Sequence, residues 1–208
     1  RILLYKRQLV AGVGLFGIMQ LSGSNAVNFY LVSILTMAGV HSPNAYAGWV
    51  QLAQLGSCVL ALPLLDRFGR RTLLLVAIGG MFCACASLVV YFATAPANLG
   101  VWPLLSCFAY VSAYSVGLGS LPWLMLAELF PQDVRAAGAS LSIAACYVFS
   151  FGVTLMLPVV PETFEAYAGV FAGFSVVLAL GAVFVAAAVP ETRQASLDAP
   201  AAGAKLVG

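Results

Sequence analysis

The sequence predicts an all-α membrane protein folded as a bundle of six transmembrane helices, and three observations predict it. Of its 208 residues, 62% are hydrophobic and only 8% charged, where an ordinary soluble domain carries about 25% charged residues. Mean hydropathy is +1.03. The few charges are confined, with none between Arg7 and Asp66, Arg71 and Glu128, Arg135 and Glu162, or Glu165 and Glu191. Carrying a charge from water into hydrocarbon costs several kcal/mol, and a spanning helix needs about 20 mostly apolar residues. The first two intervals therefore hold two spans each and the last two hold one each. Finally, every Lys and Arg falls on one side of the resulting topology, while the opposite connections carry only Glu162 and Glu165. The positive-inside rule makes that basic side cytoplasmic, together with both termini of the segment.

The elements follow in order. Span one covers about 9–38, too long for one straight crossing, and Ser22-Gly23-Ser24-Asn25 are poor helix-interior residues, so a break is expected there. Span two covers about 46–65, span three 73–91, span four 102–126, span five 137–157 and span six 169–189. Residues 1–189 form the bundle in this reading, and 190–208, polar and Ala-rich, form a loose cytoplasmic tail. The start is a first span and not a cleavable signal, because the apolar run after Lys6-Arg7 outlasts a signal and lacks its cleavage pattern.

Composition also excludes. A net charge of +2 with scattered basic residues gives no footprint for nucleic acid. All five cysteines (Cys58, Cys83, Cys85, Cys107 and Cys146) lie within spans and act as small apolar residues; none has metal-ligand spacing. No cofactor motif is present. No ionisable pair sits at mid-membrane and the lone His41 lies in a loop, so enzyme chemistry has no carrier.

Three motifs remain. Asp66-Arg67-Phe68-Gly69-Arg70-Arg71 fills a short turn, either as charges that only fix topology or as a latch whose arginines pair with carboxylates on other helix ends. Gly117-Leu118-Gly119-Ser120-Leu121-Pro122-Trp123 places two glycines and a proline in span four, which predicts a hinge at Gly117, Gly119 and Pro122. Glu128 and Arg135 bracket the next loop and are able to pair with each other or with the Asp66–Arg71 run. Within spans, Gln20, Asn25 and Gln54 are amides in hydrocarbon, which serve either as cross-links between helices or as the lining of a polar cavity.

Gln20-Leu21-Ser22-Gly23-Ser24-Asn25-Ala26-Val27, Asp66-Arg67-Phe68-Gly69-Arg70-Arg71, Leu121-Pro122-Trp123 with Glu128-Leu129-Phe130-Pro131 and Arg135, and Pro190-Glu191-Thr192-Arg193 together resemble the C-terminal half of a sugar porter of the major facilitator superfamily. The motifs come in that family's order over nearly the whole chain. The resemblance implies one six-helix half of a major facilitator fold and a monosaccharide, hexose-like, as the transported solute. It implies that Gln20, Asn25, Gln54 and Trp123 line the sugar site, with Asn28 and Tyr30 in lesser roles. It further implies a charge network of Asp66, Arg67, Arg70, Arg71, Glu128, Arg135 and Glu191 closing the cytoplasmic mouth, and alternating access by rocking against an N-terminal six-helix half not contained in these residues.

The sequence also departs from the family. Met19-Gln20 stands where paired glutamines are common, Leu118 and Ser120 interrupt a Gly-Pro-rich run, Ser115 stands near a usual acidic position, and Cys146-Tyr147 replaces Asn-Trp. Fewer polar donors remain for a sugar. The expected partners are a sugar, the lipid bilayer of the plasma or an internal membrane, and the missing N-terminal half. A start at Arg1 within a basic segment reads as part of something longer. With no carboxylate in any span, uniport is the default over proton symport. The alternatives are a truncated or half-size, non-transporting membrane subunit, or a carrier for another small polar solute.

Overall fold

The chain is described by a computed structural model covering residues 5–94, 100–159 and 163–189. The tail expected over 190–208 lies outside the described residues. Eight α-helices account for six apolar crossings among those residues. The first crossing is split into α1 (Lys6–Leu21) and α2 (Ser24–Met37), as the poor helix formers at 22–25 predict. Gly23 sits at the joint with φ +89, a left-handed conformation that glycine adopts without a Cβ penalty. The ring of Phe174 from the last helix covers the space a Cβ would take.

The second and third crossings are continuous: α3 (Pro43–Arg67), with Pro43 in its first turn, and α4 (Arg70–Thr94). The fourth is split again, into α5 (Val101–Val116) and α6 (Leu121–Leu129). The fifth is α7 (Gln132–Met156), followed by a single 3-10 turn at Leu157–Val159; the sixth is α8 (Phe164–Ala188). Thr163 caps α8, its Oγ1 accepting the Ala166 amide at 3.2 Å.

Several helices outrun the expected spans, because the backbone ladder continues past the length needed to cross the hydrocarbon. The α3 helix starts at Pro43 rather than Tyr46, α4 covers Arg70–Thr94 rather than 73–91, and α8 starts at Phe164 rather than Gly169. The loop expected between Glu128 and Arg135 shrinks, because Gln132 to Arg135 already belong to α7, with Asp133 near its positive end.

Packing follows from burial. The split first crossing is the most buried of the six, α1 lying against α7 and α8, while α4 is held between α5 and α8, and α3 packs on α5. Phe16, Leu31, Leu74, Met81, Phe92, Tyr110, Phe130 and Phe171 are almost wholly buried. Phe92 stacks on Phe171 at 5.9 Å between ring centroids and on Tyr167 at 5.5 Å. Helices in lipid gain no hydrophobic drive from meeting one another, so close packing and interhelical hydrogen bonds hold them. Tyr91 Oη donates to the Ala38 carbonyl at 2.8 Å, and Trp102 Nε1 donates to Ser87 Oγ at 2.6 Å, with Ser106 Oγ 3.0 Å from the same hydroxyl.

Candidate functional site

The break between α1 and α2 frees backbone groups in the middle of an apolar bundle, where an unsatisfied carbonyl costs several kcal/mol. Side chains from both sides supply the missing partners. Ser22 and Ser24, both fully buried, donate through Oγ to the Met19 carbonyl at 3.0 and 2.8 Å. From α5, Tyr110 Oη donates to the Ser22 carbonyl at 3.0 Å.

Around that joint the two most strongly expected amides meet. Asn25 Nδ2 donates to Gln20 Oε1 at 2.8 Å and to Ser150 Oγ on α7 at 2.6 Å. Gln20 Nε2 donates to Cys146 Sγ, one turn before Ser150, at 3.1 Å. Both Asn25 amide hydrogens are thereby engaged, and Asn25 Oδ1 is left as an acceptor. Gln20 is buried and Asn25 half-buried. Trp123, on α6, stands 41% exposed and meets Phe16 edge to face, with centroids 4.9 Å apart. Phe16 precedes Gln20 by one helical turn, so the indole and the amide lie along one side of α1.

Asn28 and Gln54 lie apart from this cluster. Asn28 Oδ1 accepts from Gln51 Nε2 at 3.3 Å across α2 and α3. Gln54 is half-exposed and follows Gln51 by three residues on the same face of α3. Gln51 and Ser150 are the members that sequence reasoning missed as participants, and Cys146 entered it only as a departure from the family's Asn, not as a partner of Gln20. Gln51 is detectable as an amide at helical spacing from Gln54; a lone Ser or Cys in a span carries no such signal. A separate cavity of about 110 Å³ near Tyr30, Tyr167 and Phe174 is mostly apolar.

The expected hinge residues stand at the second break. Gly117 to Ser120 form turns, with Gly119 N–H bonded to the Tyr114 carbonyl at 2.7 Å. A Cβ on Gly117 would collide with that of Ala77 on α4. Pro122 lies in the first turn of α6, where its missing N–H costs nothing, so the glycine segment forms the break and the proline restarts the helix.

At the charged end, Arg70 Nη2 pairs with Glu128 Oε1 at 3.4 Å, both side chains being about four-fifths covered. Arg70 Nη1 also donates to the Leu65 carbonyl at 3.2 Å. Its neighbour Arg71 turns elsewhere and donates to the Ala186 carbonyl near the end of α8. Arg135 Nε donates to the Phe130 carbonyl at 3.1 Å, and Arg67 is exposed. Of the expected network, the described residues thus join Arg70 with Glu128; Glu191 and the Asp66 side chain lie outside what is described.

Residues 1–201 match the family described as sugar (and other) transporter. The chain belongs to that family. Sugar transporter relatives include the facilitated trehalose transporter of Polypedilum vanderplanki, 34% identical over 92% of this chain and 39% of that protein. Another is plastidic glucose transporter 4 of Arabidopsis thaliana, 31% identical over 93% of this chain and 36% of that protein. Among solved structures, the major facilitator superfamily proton:xylose symporter XylE bound to 6-bromo-6-deoxy-D-glucose matches with a TM-score of 0.77 at 27% identity, covering 89% of this chain and 40% of that one. The inward-open xylose transporter XylE from E. coli matches with 0.76 at 26% identity, covering 90% and 40%. The fold is therefore a six-helix half of the major facilitator architecture in an integral multi-pass membrane protein, and the chain spans about two fifths of the length of these relatives.

Proposed function

We propose that this chain is the C-terminal half of a sugar porter that carries a monosaccharide, hexose-like, across a membrane by alternating access, with the basic ends of the helices cytoplasmic. The observation that carries the reading is the amide cluster at the α1–α2 break, where Gln20 and Asn25 are held by Ser150 and Cys146, with Trp123 against Phe16 one turn earlier on α1. A sugar hydroxyl is both donor and acceptor, and a site of paired amides with an adjacent aromatic ring supplies complementary groups for it. Gln51 and Asn28 extend that polarity across α2 and α3, on surfaces where lipid would leave an amide unsatisfied and a water-filled pathway would not. Rocking needs a second bundle, so the N-terminal half is the expected partner.

Disaccharide transport is the second reading, favoured by the trehalose transporters among the relatives. Uptake of labelled glucose, xylose and trehalose into proteoliposomes containing the complete protein tests both. Saturable hexose uptake supports the first reading; trehalose uptake without hexose uptake selects the second; no uptake of any sugar by correctly inserted protein overturns both.

A further inference from the structure

Where α1 begins and α8 ends, the bundle holds a cavity of about 760 Å³. Its lining combines Lys6, Arg7 and Gln8 of α1 and Arg71 of α4 with apolar residues such as Val10 and Val189. Its described lining contains no carboxylate, and none of the three cations makes an ion pair among the described residues. Arg71 is held by its bond to the Ala186 carbonyl, which fixes the guanidinium and leaves its other N–H groups for a ligand. Arg70, one residue earlier, is committed to Glu128, so the two neighbouring arginines divide between an internal pair and the cavity.

The position of the cavity selects the ligand. Lys6 opens one apolar crossing, Arg71 lies at the start of another and Ala188 closes a third, so the cations sit at the level of the headgroups. Val10, 56% exposed and one turn deeper along α1, continues the apolar wall towards the hydrocarbon. A cationic pocket with an apolar wall between helix ends suits an amphiphile with a negative head. We propose that Lys6, Arg7 and Arg71 form a binding site for the phosphate headgroup of an anionic phospholipid, its acyl chain passing along Val10. The inference rests on the membrane-spanning fold and is independent of which solute is carried.

The test uses the complete purified protein in detergent and follows its thermal unfolding midpoint against added palmitoyl-oleoyl phosphatidylglycerol. The expected result is a saturable rise that neither palmitoyl-oleoyl phosphatidylcholine nor inorganic phosphate produces. The double variant Lys6→Gln/Arg7→Gln removes two exposed cations and should weaken half-saturation about 30-fold, equal to about 2 kcal/mol at about 1.4 kcal/mol per tenfold. Gln8→Glu keeps both cations, adds a negative charge to the lining, and should also weaken binding, which separates charge from any effect on folding. Equal stabilisation by phosphatidylcholine would reduce the cavity to an apolar groove and overturn the proposal. Equal stabilisation by inorganic phosphate would make it a free-phosphate site instead. Unchanged phosphatidylglycerol binding in both variants would acquit the cations, and binding that emerges only after deletion of residues 190–208 would make the chain's own tail the occupant.

Discussion

Gln20 Nε2 donates to Cys146 Sγ at 3.1 Å, joining residues 126 positions apart at the break in the first crossing. A thiol is a weak acceptor, so the bond orients the Gln20 amide more than it stabilises the fold. A net hydrogen bond contributes about 0.5–1.5 kcal/mol. Cys146→Ala in the complete protein should therefore raise KM for the transported sugar by about two- to tenfold. Gln20→Ala should raise it further, since it also strips Asn25 of its acceptor. Uptake kinetics at matched surface expression measure both, and unchanged KM in both variants would remove Gln20 from the site.

Trp123 meets Phe16 edge to face and remains 41% exposed. Trp123→Phe preserves a ring for that contact and should keep most transport, whereas Trp123→Ala loses both the pair, at about 0.5–1.5 kcal/mol, and the exposed face. The expected outcome is a loss of sugar affinity at least several-fold larger for Ala than for Phe. Equal kinetics would assign the indole to packing alone.

Gly23 holds φ +89 under the ring of Phe174. Gly23→Ala should lower thermal stability by about 1–2 kcal/mol from the left-handed backbone alone, before any displacement of the ring. A detergent melting curve that matches the parent would show that the joint relaxes freely.

The Arg70–Glu128 pair at 3.4 Å is partly covered, so its worth is modest and discounted by solvent screening. A double-mutant cycle with Arg70→Gln and Glu128→Gln should give a coupling of about 1 kcal/mol in melting stability, shrinking as salt is raised. Additive effects would reduce the contact to proximity.

The crossings were legible because charge is so costly in hydrocarbon that the gaps between charges measure the bilayer. The first break was legible from Ser22 to Asn25, whose preferences oppose helix interior. The second was legible only in part: Pro122 signals a disruption, yet a proline in a first turn is benign, and the break belongs to the segment opened by Gly117. The partners of Gln20 and Asn25 were not legible. A membrane helix is apolar on every face, so no amphipathic stripe reveals its rotation; nothing in α7 marks Ser150 as turned inward, and Cys146 is marked only by the resemblance, as standing where the family has Asn. The same uncertainty hides which arginine of the Arg70-Arg71 pair faces Glu128, because consecutive residues diverge by about 100° around the axis.

Tyr110 belongs to α5, one of the two rods of the fourth crossing, and its hydroxyl grips the Ser22 carbonyl at the joint of the first. The elbow of one jointed crossing is thus pinned to the shaft of the other. Each rod keeps its own backbone ladder, so re-aiming α2 against α1 tears no helix. It must instead drag α5 along or release this pin. At about 0.5–1.5 kcal/mol the pin is worth about one to three times thermal energy, which makes it a detent: firm enough to seat the two jointed crossings together, weak enough to be released without unfolding either.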